Sequence, residues 1–167
     1  MADDPQAALA AFAAGVRALL ADEDYAYANP SERAWVARLA VLLEGNFPDW
    51  SISTEWDRRE DLVKRLRYQF PIEALEREAM IVPDLIIHRI GKRENLLVVE
   101  VKRIANRDYD KDIWKLRGMT AQAGDYGYAA GLHLVVNLPR ARVERCDVYV
   151  DGERDAGLTA WLREQLP

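Results

Sequence analysis

Cysteine occurs once in this 167-residue chain, at Cys146, and histidine twice, at His88 and His133. A single thiol cannot close an internal disulfide, which fits a reducing cytoplasm. No zinc-ligand cluster is present. There is no membrane-length apolar run. The alanine-rich stretch 7–20 carries Arg17 inside it and is preceded by acids rather than bases. It is too short and too weakly hydrophobic to span a bilayer or to read as a signal peptide, and it is expected to form an amphipathic helix on the outside of the domain or, alternatively, a partner-binding helix. No P-loop and no Gly-x-Ser-x-Gly appears, so nucleotide triphosphate hydrolysis and serine hydrolysis have no support. Repeats and low-complexity linkers are absent as well.

What is present describes one globular domain over residues 1–167. Half the residues are apolar and 31% are charged, an ordinary balance for a folded chain large enough to build a core. The net charge of −5 does not announce a partner for polyanions, but its distribution is uneven. Between Arg89 and Arg117 nine bases face five acids, and Lys64, Arg65 and Arg67 form a second basic cluster. A basic zone of that kind suits a polyanionic substrate.

The densest information lies in VPDLIIHRIGKRENLLVVEVKR, residues 82–103. Residues 82–90 and 95–101 are rich in β-branched side chains, and the polar Gly91-Lys92-Arg93-Glu94 between them reads as a hairpin turn. Side chains alternate between faces along a strand, so Glu100 and Lys102 share one face and Val101 takes the other. Asp84 opens the first strand and Lys102 closes the second. An antiparallel hairpin therefore brings Asp84, Glu100 and Lys102 to one edge of the sheet. The run Leu96-Leu97-Val98-Val99 is expected to be buried on both faces, where a carboxylate and an ammonium are costly unless paired or bound to a metal.

Around this hairpin the pattern predicts a helix over 5–21, an acidic connector at 22–27, and a helix from Pro30 to about Glu44, stopped by Gly45-Asn46. A strand is expected at 50–56, a partly helical basic segment at 57–70 and a connector at 71–80. After the hairpin come a helix over 106–123, strands at 131–138 and 146–150, and a closing helix over 158–166. The expected fold class is α/β: a central mixed β-sheet flanked by helices.

Pro83-Asp84 followed by Glu100-x-Lys102 resembles the active-site signature of the PD-(D/E)XK nuclease superfamily. The wider context, with Ser31-Glu32-Arg33, residues 50–58, Asp112 to Leu116 and residues 126–132, looks like a small stand-alone bacterial branch of it. The likeness covers about residues 30–137. It implies a restriction-endonuclease-like αβββαβ core, here with an extra N-terminal helix and a C-terminal strand and helix. It also implies metal-dependent phosphodiester hydrolysis of nucleic acid, with DNA as the expected substrate. Asp84, Glu100 and the backbone carbonyl of Val101 would hold Mg²⁺ or Mn²⁺, whose preference is for hard oxygen ligands. Lys102 would orient the attacking water. Lys115, Arg103 and Arg58 would contact the substrate. Such small members look like parts of phage-defence or mobile-element systems. A homodimer, or a larger complex of that kind, is thus the expected setting. The alternative within the same fold is a module that binds nucleic acid or protein without cutting.

Several residues admit two readings. Glu32 matches the place where a helix adds a carboxylate to the metal site, and Asn29-x-x-Glu32 also fits a capping box. Glu44 is a more distant rival for that role, and Glu55 a neighbour of the hairpin. Asp112 and Lys115 are one helical turn apart: Lys115 either makes an ordinary ion pair, or binds a phosphate or holds Glu100. Gln122-x-x-x-Tyr126 weakly resembles an exonuclease element. His88 and His133 read as structural.

Overall fold

The computed structural model describes residues 4–54, 82–92 and 94–167. Expectations for 55–81, including the roles of Glu55 and Arg58 and the basic cluster at Lys64, Arg65 and Arg67, lie outside the described residues. The elements in order are α1 (Pro5–Leu20), α2 (Glu23–Ala28), α3 (Glu32–Leu43), a 3₁₀ turn (Glu44–Asn46), β1 (Ser51–Thr54), β2 (Leu85–His88), β3 (Asn95–Arg103), α4 (Asp110–Thr120), β4 (Ala130–Asn137), β5 (Arg142–Val150), β6 (Glu153–Arg154) and α5 (Ala156–Gln165). The six strands form one mixed sheet in sequence order. β1, β2 and β3 form an antiparallel meander, β4 lies parallel to β3 across α4, and β5 and β6 return antiparallel. The expected α/β class, a mixed sheet flanked by helices, is present among the described residues.

The sheet divides two apolar layers of unequal size. On one face Leu97, Val99 and Val101 of β3 join Leu132 and Leu134 of β4, and α1, α3 and α5 cover them with Phe12, Trp35, Leu39 and Leu162. On the other face a smaller cluster of Ile86, Val98, Leu116, Met119, Tyr128 and Tyr149 lies under α4. β3 and β4 are thus apolar on both sides over most of their length, as a parallel pair between helices must be. The polar positions on the smaller face fall beyond that cluster, towards the C-terminal end of β3.

Capping explains where the helices begin. Asp4, Ser31 and Asp155 accept backbone N–H bonds from Gln6, Ala34 and Leu158, satisfying donors that a helix start leaves open. The acidic segment expected as a connector is the short helix α2, capped by Asp22. Asn29 ends α2 in the left-handed conformation, φ 43°, and Ser31 caps α3. The expected start at Pro30 and the Asn29 capping box therefore do not form. α4 is shorter than its expected span. Asn106 folds back to accept the Asp108 N–H at 3.1 Å before the helix, and the Gln122 N–H leaves it to bond Asp151 at 2.9 Å.

At the far edge β5 starts at Arg142 rather than at Cys146, and it is followed by the unforeseen β6. The connecting Asp151 and Gly152 both have positive φ, 47° and 78°, the conformation that two-residue hairpin turns require. No described helix is long and apolar enough to cross a membrane.

Gly131 sets the distance between α4 and the sheet. A Cβ there would stand 2.9 Å from Thr120 Cγ2 and 3.2 Å from Leu116 Cδ2. Gly131→Val should therefore lift α4 and cost about 1–3 kcal/mol. Thermal unfolding is expected to show a midpoint several degrees lower. An unchanged midpoint would mean that α4 docks without this close approach.

Candidate active site at the end of strand β3

The register places the signature residues together. Leu85 pairs with Val99 across the hairpin, so Asp84, one residue earlier, faces Glu100. Asp84 Oδ2 accepts the Val101 N–H at 2.7 Å. A strand residue sends its N–H and C=O to the same side, which puts the Val101 carbonyl on the Asp84 side as well. The next outward position on that side belongs to Glu32, whose Oε2 accepts the Arg103 N–H at 3.0 Å. Glu32 is therefore not occupied as a cap. It ties the start of α3 to the end of β3, within the electrostatic field of Lys102 and Asp84.

α4 closes the site from above. Lys115 Nζ stands 2.7 Å from Glu100 Oε1 and 3.7 Å from Asp112 Oδ1, and Lys102 Nζ stands 3.2 Å from Asp112 Oδ2. Glu100 is 1% exposed. Its Oε1 is buried, with the Lys115 ammonium as its partner. His133 on β4 pairs with Glu100 in the parallel register and is fully buried. Its Nε2 is 3.6 Å from Asp112 Oδ2. Its ring meets Tyr109 edge-on, with centroids 4.9 Å apart.

Burial and charge push the acids of this cluster apart. Burial raises Glu100 well above the ordinary glutamate value, and Lys115 only partly offsets it. Burial also raises Asp84 against the Val101 N–H and both lysines, and raises Glu32. Asp112 is buried too, yet His133, Lys115 and Lys102 outweigh the desolvation and hold it below the usual aspartate value. Burial works to lower Lys102, but Asp112, Glu32 and Asp84 prevail and keep it above an ordinary lysine. Carboxylates held at opposite ends of their range in one cluster are a recurrent property of reactive sites.

Among the described residues no three His, Cys, Asp or Glu side chains form a ready-made metal cage. The donor set nevertheless fits a hard divalent cation. Mg²⁺ takes one or two carboxylates and keeps several waters. Asp84 and Glu100 supply those, and strand geometry puts the Val101 carbonyl on the Asp84 side.

Of the other expected residues, Arg103 is half-buried and donates from Nη2 to Asn29 Oδ1 at 2.9 Å. Lys115 both pairs with Asp112 and holds Glu100. Glu44 is exposed in the 3₁₀ turn. Gln122 does not reach into the site. Its amide donates to the carbonyls of Thr120 and Tyr128 and fixes the loop after α4. His88 lies within 3.0 Å of Ser53 Oγ, across the β1–β2 pair. His133 was expected only to pack; it is buried, and it also stands behind Asp112. The sequence shows two adjacent strands but not the register that sets His133 opposite Glu100.

A raised Glu100 has a definite consequence for stability. The folded protein keeps this proton after the unfolded chain, near its usual value of 4.5, has lost it. Without metal, stability then falls as pH rises from that value through the raised folded one. Glu100→Gln removes the cost while keeping the shape. Metal-free Glu100→Gln is expected to melt a few degrees above wild type at pH 8, with the gap closing towards pH 4. A lower midpoint at pH 8 would show that the Lys115 contact outweighs the desolvation. Compared with family models and with curated proteins, the chain matches none.

Proposed function

We propose that this protein is a metal-dependent nuclease that hydrolyses phosphodiester bonds, with DNA as its substrate. One observation carries the reading. A buried carboxylate, Glu100, faces a second carboxylate, Asp84, and two lysines stand at the same site. A fold that needed only stability would gain by replacing such a group with an apolar one. The resemblance of Pro83-Asp84 and Glu100-x-Lys102 to the PD-(D/E)XK signature supports the same conclusion.

Mg²⁺ or Mn²⁺ held by Asp84, Glu100 and the Val101 carbonyl would lower the pKa of a water and offset phosphate charge. The chain's own residues do the rest. Lys102 is held charged by Asp112, so it acts by orienting a water and by stabilising negative charge on the phosphate, not as a free base. Asp112 fixes both lysines. Lys115 neutralises Glu100 and presents a second cation to the substrate. Arg103, with its guanidinium held by Asn29, lies next along the strand to contact a phosphate.

One observation favours a second reading. Lys115 on Glu100 and Lys102 on Asp112 already compensate the buried acids without any metal, which would suffice for a module that binds nucleic acid and does not cut. Incubation with plasmid, linear and single-stranded DNA and with RNA, in Mg²⁺ and Mn²⁺, separates the two. The nuclease reading expects metal-dependent cleavage of DNA that falls at least about 100-fold in Asp84→Asn, Glu100→Gln and Lys102→Met. Binding without cleavage by folded wild-type protein would favour the module. Equal cleavage by wild type and all three variants would remove the site from the reaction.

A further inference from the structure

On the sheet face that carries Lys102, the register continues across two more strands. Lys102 pairs with Val135, and Val135 with Arg145. Lys102 and Arg145 therefore stand two strand spacings apart, about 10 Å, on the same side. Beside Arg145 lies Asp147, buried at 3% exposure and facing His133 in the register. It accepts from Arg145 Nε at 2.5 Å and from Arg154 Nε at 2.6 Å, one guanidinium on each oxygen. Arg145 is also held over the Tyr109 ring, 5.2 Å from its centroid.

This arrangement is more than a pair of surface salt bridges. One buried acid carries two arginines and leaves an excess positive charge. Both bonds run through Nε, and each guanidinium has four further N–H donors on its terminal amino groups. The two side chains remain 41% and 46% exposed. Guanidinium donors form a fork that matches phosphate geometry, and fixing the side chains beforehand removes the entropy cost of ordering them on binding. Asp147 is itself held below the usual aspartate value, burial being outweighed by the two arginines, so the fixing charge persists. Two Asp147-held arginines and the Asp112-held Lys102 thus line one face, linked through Tyr109 and His133.

We propose that Arg145 and Arg154, oriented by Asp147, form a second phosphate-binding position on β5 and β6 that grips the polynucleotide backbone beside the cleavage site. It rests on the nuclease reading and adds to it a path for the strand, from Lys102 across β4 to the outer edge of the sheet. Its contacts reach the backbone and carry no base preference.

The test is equilibrium binding of a fluorescein-labelled 20-base-pair DNA duplex and the matching single strand. Both would be measured in EDTA across a series of salt concentrations, alongside a cleavage assay in Mg²⁺. Arg145→Gln/Arg154→Gln keeps amide donors for Asp147 and removes both charges. Arg145→Gln/Asp147→Asn/Arg154→Gln also removes the buried acid, in case the first variant unfolds. Arg17→Gln/Arg163→Gln removes two exposed charges on α1 and α5, on the opposite face of the sheet. Loss of two phosphate contacts is expected to weaken duplex binding about tenfold near 0.1 M salt and to flatten the slope of log K against log salt by about 1.8. The Arg17/Arg163 control should follow wild type. Weaker binding in the folded triple variant with an unchanged slope would overturn the phosphate position, as would equal losses in the control. Wild type that binds neither DNA form and cuts nothing would instead overturn the nuclease reading beneath it. Wild type that binds and cuts while the arginine variants match it would overturn this position alone.

Discussion

A carboxylate buried on the face of a β-sheet is the constraint around which this molecule is arranged. Glu100 sits within a strand otherwise given over to leucine and valine, and water cannot solvate it there. Isolated, its charge would be prohibitive. The chain answers with an ammonium from above, Lys115, and sets Asp112 between Lys115 and Lys102 so that both cations stay in place. The compensation is incomplete, since Glu100 retains a raised proton affinity. A site balanced in that way leaves part of the cost of the buried charge unmet.

The scaffold serves this balance from three directions. The hairpin brings Asp84 opposite Glu100, α3 delivers Glu32 to the last N–H of β3, and α4 crosses over the top with Asp112 and Lys115 on one turn. The close approach at Gly131 keeps α4 low enough for its side chains to reach the strand. The thick apolar layer on the opposite face, built from α1, α3 and α5, supplies the burial that holds the strands rigid. Precision at the site thus comes from regular elements, which hold side chains more closely than loops do.

Much of this could be read in the residues, for local physical reasons. Strand alternation placed Glu100 and Lys102 on one face, and the polar turn between two β-branched runs set Asp84 beside them. What escaped depends on contacts distant in sequence. Glu32 admitted a cap or a site role because both need only a helix start, and the decision rests on the Arg103 N–H, seventy-one positions away. His133 was invisible as a site neighbour because the offset between parallel strands is set by the intervening helix and loop. β6 had a local signal that went unread: Asp151-Gly152 is a strong hairpin turn. Arg154 and the Asp147 arginine pair were missed with it.

The central claim is that Asp84 and Glu100 form a divalent-cation site at the end of β3. Calorimetric titration of the purified protein with Mn²⁺, without nucleic acid, tests it most directly. Wild type should take up Mn²⁺ saturably, and Asp84→Asn should bind at least about tenfold more weakly while remaining folded. Absence of uptake by folded wild type, or equal affinity in the two proteins, would contradict the assignment.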